Sequence, residues 1–319
     1  MKLQDIRQLS HRLSYTASAA SQEQVHSLLR EMGYDPNNLY QELEMSSSLV
    51  DTHRDTSYAN AHLHLHSHTF YELLYCRSNC DAEYLVGAER YRLQRGDIVF
   101  IPPGISHRPL LPEVLSEPYK RYVLWLSPEF MKHYTSLTAF HPLEPTLFRT
   151  DGTQWDHLGD FFRQGVQEAE NQAPGWEAAV LVNTVFLLTQ LHRGIRDRSL
   201  SQMTAETPDL LDRILTYIED HLALRITLAD TAKHFFVSES TVSQTFRKKL
   251  GVSFYRCVTQ RRLIAAKTLI QANCNLETVG QQVGFTDYST FYRAFRKEYG
   301  ISPRQYRKLH QLPAASKTE

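Results

Sequence analysis

The last third of the chain places its apolar residues at helical spacing. Between 207 and 222 the buried stripe would consist of Leu211, Ile214, Leu215 and Ile218, following a start signal at Thr207 and Pro208. Capping residues predict further helix starts near Thr227, Ser238, Ser253, Asn275 and Ser302. Gly251 and Gly300 are expected to end two of these helices. The pattern predicts an all-helical domain of about seven helices over 210–312.

Part of this helical pattern occurs twice. The phrase "FRKKLGVS" at 246–253 returns as "FRKEYGIS" at 295–302, and the preceding residues align as well. Each copy consists of a short helix, a tight turn and a second helix, which predicts two helix-turn-helix units. Phe236 occupies the turn position that Gly284 occupies in the second copy.

The second helix of each copy carries a polar face without carboxylates. In the first copy Ser240, Gln244 and Arg247 lie opposite Val242 and Phe246, with Ser243 on the flank. In the second copy Ser289, Arg293 and Arg296 lie opposite Phe291 and Phe295, flanked by Tyr292. Such groups can contact phosphates and base edges in a major groove. A solvated basic face is the alternative for a single helix, and two copies in register favour DNA.

The segment between the two copies predicts a helix over 253–272. Its 20 residues would span about 30 Å, close to the 34–36 Å of one DNA turn. A stiff helix of this length could hold two reading helices in successive major grooves.

The same segments resemble the AraC family of bacterial transcription regulators. The resemblance covers about 210–310 and is carried by "RRLIAAKTLI" and "VGFTDYSTFYRAFRKEYGISPRQYR". It implies base-facing positions at Ser240, Ser243, Gln244, Tyr288, Ser289, Thr290, Tyr292 and Arg293. It also implies a ligand-responsive regulator of a metabolic operon rather than an enzyme, more often an activator. Double-stranded DNA, a small-molecule effector such as a sugar, a second copy of the chain and RNA polymerase are the expected partners.

The N-terminal two-thirds combine short strands with two long helices. Strand patterns near 62–76, 83–92, 97–107 and 119–128, separated by Gly and Pro turns, indicate a sandwich or small barrel. We expect a multi-domain α+β protein. Its ligand-binding and dimerisation domain would cover 1–196, with an antiparallel barrel at about 46–130 and helices at about 155–196. A linker over 197–209 would join it to the DNA-binding domain at 210–312, and a further helix is predicted at 21–33.

Two phrases of this region resemble the paired motifs of the cupin barrel. His66, His68 and Glu72 have the spacing of the first motif, and His107 ends the second, which begins at Gly96. In cupin enzymes such residues hold one metal, whereas in many AraC-type regulators they line a ligand pocket or pack as core. We expect pocket lining and no cofactor, while a metal site on these four residues stays open. His62 and His64 are expected at the rim.

Composition adds a division of charge. The chain has 35 Lys and Arg against 35 Asp and Glu, but residues 1–209 carry 18 against 26 and residues 210–319 carry 17 against 9. The balances of −8 and +8 indicate that the C-terminal part meets a polyanion. The start lacks a signal-peptide pattern, so we expect a cytoplasmic protein without a membrane partner. The competing hypotheses are a metal-dependent cupin enzyme or metal sensor fused to a DNA-binding domain, and a constitutive regulator whose barrel only dimerises.

Overall fold

The structure is a computed structural model, and it describes residues 27, 30–31, 44–58, 65–112, 114–140 and 146–310. These residues form two compact units. The first comprises Met45–Arg213 and Lys249–Gly251, and the second comprises the other described residues, chiefly Ile214–Lys248 and residues 252–310. The first unit holds all of the strands described below, and the second is helical. Most of the helix predicted over 21–33 lies outside the described residues.

Within the described ranges nine strands build the first unit, and every pairing between them is antiparallel. In chain order they are β1 (Val50–Ser57), β2 (Tyr71–Cys76), β3 (Glu83–Val86), β4 (Glu89–Arg92), β5 (Asp97–Ile101), β6 (His107–Leu110), β7 (Tyr119–Leu126), β8 (Thr146–Arg149) and β9 (Ser201–Gln202). A large sheet has the order β1-β7-β2-β5-β8-β9, and a small sheet has the order β4-β3-β6.

The strands of the described residues form two sheets and not the single closed barrel that we expected. The turn after β5 carries Gly104 at a φ of 81° and redirects the chain, so that β6 pairs with β3 in the small sheet. A further β-bridge pairs His66, which lies outside the named strands, with His107 of β6. The sandwich, which the strand pattern left open, is therefore the better description of this unit.

Several elements of the first unit differ from the sequence prediction. The strand predicted from His62 begins only at Tyr71, and His62 and His64 lie outside the described residues. Strand β1 was missed because its buried positions are polar: the Thr52 hydroxyl donates to the Val123 carbonyl at 2.8 Å. Strands β8 and β9 extend the large sheet beyond the range predicted for the barrel.

Three helices belong to the first unit: α1 (Pro128–Thr138), α2 (Leu158–Asn171) and α3 (Trp176–Arg196). Helices α2 and α3 contribute Phe162, Leu187 and Leu188 to a core that also contains Leu73 of β2. Helix α3 is long and apolar enough to cross a membrane by length and composition, as core helices of soluble proteins often are. Its buried residues pack in this core.

Helices α4 to α10 follow in the C-terminal part: α4 (Leu210–Asp220), α5 (Leu228–His234), α6 (Glu239–Leu250), α7 (Phe254–Gln271), α8 (Leu276–Gln282), α9 (Tyr288–Tyr299) and α10 (Pro303–His310). The predicted caps at Thr227, Ser253 and Asn275 each accept a backbone N–H bond at the helix start. The cap predicted at Thr207 was wrong, because the Asp209 carboxylate accepts the Leu211 N–H at 2.7 Å instead. The carboxylate was the stronger cap available two residues later.

Candidate DNA-binding face and buried histidine cluster

Helix α6 separates an apolar face from an exposed polar face. Val242 and Phe246 are fully buried, which fixes the rotation of the helix in its unit. Ser240, Gln244 and Arg247 are exposed on the other side, and Ser243 is partly exposed. The exposed carboxylate of Glu239 lies in the first turn, where its negative charge interacts favourably with the positive end of the helix dipole. The four polar side chains predicted to face DNA are thus accessible to it.

Helix α9 repeats the arrangement. Phe291 and Phe295 are fully buried. Tyr288, Ser289, Arg293 and Arg296 are exposed, and Thr290 and Tyr292 are partly exposed. The Arg293 Nε atom donates to the Ser289 carbonyl at 3.3 Å, which holds the guanidinium along the outer face of the helix. The face therefore presents two guanidiniums and two phenol rings to solvent.

Local capping positions the start of both helices. The Ser238 hydroxyl accepts the Thr241 N–H at 3.0 Å, and the Asp287 carboxylate accepts the Thr290 N–H at 2.7 Å. These bonds to the carboxylate lower the pKa of Asp287. The Thr290 hydroxyl also donates to Asp287, at 2.9 Å. The proton of this hydroxyl is thus engaged in the cap, and the oxygen lone pairs and the methyl group of Thr290 are left for DNA.

The two turns that precede these helices use the same backbone conformation with different residues. Phe236 has a φ of 56° and is 96% exposed, whereas Gly284 has a φ of 93°. A Cβ at Gly284 would lie 2.1 Å from the Leu222 carbonyl oxygen and 2.8 Å from the Arg262 guanidinium. The second turn therefore requires glycine, while the first tolerates a large side chain because that side chain points into solvent.

Helix α7 lies between the two helix pairs in sequence. Its 18 residues span about 27 Å. It buries Leu263, Ala266 and Ile270 completely or almost so, in a core shared with Phe291 and Phe295. It also buries two basic side chains, Arg261, which pairs with Glu219, and Lys267. Because buried side chains anchor α7 in this way, we expect it to be a rigid connection between the two helix pairs.

Burial lowers the pKa of Lys267 to about 7, against the opposing effect of Glu298. In the unfolded chain the ammonium keeps a pKa of about 10.4. Between these two values the unfolded state binds the proton and the folded state does not, so stability rises with pH. We expect the free energy of unfolding to increase by about 2 kcal/mol from pH 7 to pH 9 through this group.

Urea unfolding at the two pH values checks this expectation. The Lys267→Met variant should lose the increase and should be more stable than the natural chain at pH 7. Lys248→Met is the matched control, because Lys248 is exposed on α6. An equal pH dependence in all three proteins would show that the Lys267 amine stays charged in the fold.

Three of the four histidine and glutamate residues predicted as a site come together inside the first unit. Glu72 lies on β2 of the large sheet and His107 begins β6 of the small sheet. The Glu72 Oε2 atom is 3.0 Å from His107 Nε2 and 3.5 Å from His68 Nε2. Trp125 of β7 donates its indole N–H to the other carboxylate oxygen at 2.8 Å. All four side chains are buried.

The hydrogen bonds of the Nδ1 atoms determine that Nε2 of each imidazole points towards Glu72. His68 Nδ1 lies 2.7 Å from the Phe70 carbonyl and His107 Nδ1 lies 2.9 Å from the Ile105 carbonyl. A carbonyl only accepts, so both Nδ1 atoms carry a proton, and in a neutral ring Nε2 then has a lone pair. Burial lowers the pKa of His68, although Glu72 opposes the shift, and this favours the neutral ring. Within the described residues His107 Nε2 makes no hydrogen bond, although Glu72 Oε2 lies 3.0 Å away.

These positions test whether a metal would fit. One atom each from His68, Glu72 and His107 lies within 4.8 Å of the others. Although burial would raise the pKa of the Glu72 carboxyl, its contacts with His107 and His68 hold that pKa well below the usual range. Two lone pairs and one carboxylate oxygen converge, as in sites for iron, manganese or zinc. The residues present therefore fit a divalent cation.

His66 does not join this group of ligand atoms. Its ring centre lies 4.3 Å from that of His107 and 6.2 Å from that of His68, and its side chain is partly exposed. Its backbone pairs with His107 instead. Three of the four residues named from the spacing are thus brought together, and their role as a site stays a prediction.

Comparisons with known proteins bear on both units. A family profile described as a helix-turn-helix domain matches residues 231–309. The HTH-type transcriptional activator RhaS of Salmonella dublin is 25% identical over 248 residues, which cover 76% of this chain and 86% of the relative. The arabinose operon regulatory protein of Salmonella typhimurium is 28% identical over 223 residues, which cover 69% and 77%. Its counterpart in Escherichia coli K12 is 28% identical over 215 residues, which cover 66% and 72%.

These matches support the AraC family of transcription regulators, which the sequence resembles. The alignments of more than 200 residues are longer than the helical unit, so they include part of the strand-rich unit as well. The function expected from the sequence is confirmed at this level: the protein is a DNA-binding transcription regulator, and the relatives are regulators and not enzymes.

Two features of this regulator were not found from the sequence. Trp125, which binds the Glu72 carboxylate, lies 53 residues away from it and gave no signal beyond an apolar strand pattern. Asp287 was not identified as the cap of α9, although Asp followed by a helical pattern is a start signal. A closer reading of capping positions could have found Asp287, whereas the pairing of Trp125 with Glu72 depends on strand register.

Proposed function

We propose that the protein reads DNA through two helix-turn-helix units, α5–α6 and α8–α9, with α7 as a rigid spacer. The observation that carries the proposal is the repeated pattern of two buried aromatic or apolar anchors opposite an exposed, carboxylate-free face. The residues proposed to contact DNA are Ser240, Ser243, Gln244, Arg247, Tyr288, Ser289, Thr290, Tyr292, Arg293 and Arg296. Arginines at such positions pair with guanine or phosphate, and the hydroxyls and amide reach either.

The salt dependence of binding tests the phosphate contacts. Residues 210–319 carry a balance of +8, so several phosphates should be neutralised when the protein binds. Each neutralised phosphate contributes about −0.9 to the slope of log K against log salt concentration. For the full chain on a duplex promoter fragment we expect a slope steeper than about −4. A slope near zero in fluorescence anisotropy titrations would remove the proposed contacts.

We further propose that the protein activates an operon of carbohydrate metabolism. The relatives named as a transcriptional activator and as an arabinose operon regulatory protein support this role. An effector would act by binding one arrangement of the regulator more tightly than another. A reporter fused to a bound promoter, assayed with a panel of sugars, tests the proposal. Expression that does not depend on the protein, or that falls when it is supplied, would refute activation.

We propose that the protein acts in the cytoplasm and contacts RNA polymerase there. We also propose that two copies of the chain form a homodimer through α3. Val182, Val185 and Phe186 of this helix are 67%, 39% and 50% exposed despite their apolar side chains. An apolar stripe of this kind is typical of a protein interface. Light scattering of the natural chain and of a Val182→Glu, Phe186→Glu variant tests the dimer. A monomer in both cases would contradict it.

The buried cluster supports a second candidate function, a metal-responsive regulator. His68, Glu72 and His107 would hold the ion, and a bound divalent cation would supply the positive charge that the two Nε2 lone pairs and the carboxylate lack. We expect about one metal ion per chain in protein purified without chelators, measured by elemental analysis. His107→Ala should lose the ion, and His66→Ala should keep it.

A full complement of metal in both variants would place the ion elsewhere. Absence of metal from the natural chain, even after dialysis against zinc or manganese, would leave the cluster as a buried contact between the Glu72 carboxylate and two imidazoles. In that case Glu72 acts in folding only.

A further inference from the structure

We propose that a surface pocket between the large sheet and α2 binds a small organic anion with a ring, of the sugar phosphate or sugar acid type. The proposal rests on the proposed response to an effector and names the chemical class of that effector. The pocket has a volume of about 550 Å³, within the range of small-molecule sites. It is a different place from the buried histidine cluster: Tyr75 lines it, whereas Glu72, three residues earlier on β2, has the opposite orientation.

The strands place two pairs of side chains on the pocket's floor. Tyr75 of β2 and Tyr122 of β7 are register partners, and the Arg77 N–H donates to the Lys120 carbonyl at 2.9 Å in the continuation of this pairing. Since side chains two residues apart share a face, both tyrosines and both cations face the same way. Arg95, from the turn before β5, joins them at the edge.

Three of the lining cations are unpaired with any carboxylate of the described residues. Among these residues Arg77, Arg95 and Lys120 form no ion pair, whereas Arg163 of α2 pairs with Asp160 at 2.8 Å. With Asp156 as the second carboxylate, four cations face two anions, a balance of +2. Residues 1–209 as a whole have a net charge of −8, so the net charge of the pocket lining has the opposite sign. Such a concentration of positive charge favours an anionic ligand.

The tyrosines give the pocket its second property. The Arg77 guanidinium stacks over the Tyr122 ring at 4.1 Å, and the Tyr75 and Tyr122 rings stack at 6.3 Å. The stack holds Arg77 in place before a ligand arrives, which reduces the entropy lost on binding. Burial raises the pKa of Tyr75, so that its hydroxyl stays protonated and able to donate. Ring faces beside fixed cations suit a ligand that combines a sugar-like ring with a phosphate or carboxylate.

Helix α2 ties the pocket to the packing of the unit. A Cβ at Gly159, in the first turn of α2, would lie 2.4 Å from the Tyr75 hydroxyl. Phe162, one helical turn on, stacks with Tyr75 at 5.4 Å and is part of the core shared with α3. A ligand that moves Tyr75 therefore acts directly on the contacts that position α2.

Calorimetric titration of the full chain at constant ionic strength tests the proposal. The probes are glucose 6-phosphate, glucuronate, inorganic phosphate and glucose. We expect binding of at least one of the two sugar anions, with inorganic phosphate weaker and glucose weaker still, and their order identifies phosphate or carboxylate as the group bound. Arg77→Gln and Lys120→Gln should each raise the Kd by about tenfold or more. Lys132→Gln, an exposed lysine of α1 outside the pocket, should leave it unchanged.

The outcomes separate this inference from the proposed function. No binding of any sugar anion, or an equal loss in Lys132→Gln, overturns the pocket. Binding that depends on Arg77 and Lys120 but leaves reporter expression unchanged supports the pocket and refutes its role as the effector site. Far-UV circular dichroism and DNA affinity without ligand should match the natural chain in Arg77→Gln, which shows that a lost response is not a lost fold.

Discussion

Replacing Gly284 by alanine is expected to lower the free energy of unfolding of the helical unit by about 4 kcal/mol. Two costs add. The residue has a φ of 93°, a backbone conformation that is unfavourable for any residue with a Cβ atom. The new Cβ would also lie 2.1 Å from the Leu222 carbonyl oxygen, a backbone atom that accepts from Arg262 Nε at 3.0 Å and cannot retreat without losing that bond.

The chain offers a matched control for this variant. Gly251 has a φ of 69° but nothing within 4 Å of a Cβ, so Gly251→Ala carries the conformational cost alone, about 1 kcal/mol. Urea unfolding followed by circular dichroism should show the larger loss in Gly284→Ala. All three tryptophans, Trp125, Trp155 and Trp176, lie in the first unit, so the tryptophan transition should not move. Equal losses in both glycine variants would mean that the second turn relaxes around a side chain.

Removing the three exposed arginines of the proposed reading helices is expected to weaken binding to a promoter fragment by about a thousandfold. Arg247, Arg293 and Arg296 are exposed, and none of them forms an ion pair within the described part of the chain, so each is available to a phosphate or base. A contact of this kind contributes about 1–3 kcal/mol. The triple alanine variant should keep its helical signal, because these side chains cover no core residue.

The control for this variant removes the same charge from the other unit. Lys132, Arg196 and Arg198 are exposed in the first unit, and their triple alanine variant should bind DNA within about threefold of the natural chain. A similar loss in both triple variants would reduce the effect to net charge. For Arg293 alone, a loss of about 1–3 kcal/mol on a specific site but not on unrelated DNA indicates a base contact. An equal loss on both indicates a phosphate contact.

The helical part of the fold was predictable because its signals are local. Ser238, Ser253 and Asn275 cap helices within three residues of themselves, and the buried stripe of each helix follows from spacing alone. The sheets were less predictable. Strand β1 buries Asp51 and Thr52 through hydrogen bonds to Ser46, Ser47 and Val123, and it packs the His53 ring against Trp125. No alternation of apolar residues predicted this strand.

The candidate sites show the same division. Exposed positions on α6 and α9 follow from helix geometry, so the sequence indicated which polar side chains are accessible. Their contacts with DNA stay a prediction. The histidine cluster was found by its spacing, but the exclusion of His66 depends on a bridge to β6 that only the fold provides. The cationic pocket was missed altogether, because Arg77, Arg95 and Lys120 come from three separate segments and share no motif.

The claim that two units read adjacent grooves is tested most directly by hydroxyl-radical footprinting of the full chain on a bound promoter fragment. The account predicts two protected segments for each chain, on one face of the duplex and about one helical turn apart. Arg247→Ala should weaken protection of one segment and Arg293→Ala that of the other. A single protected segment for each chain, or loss of the same segment in both variants, would contradict it.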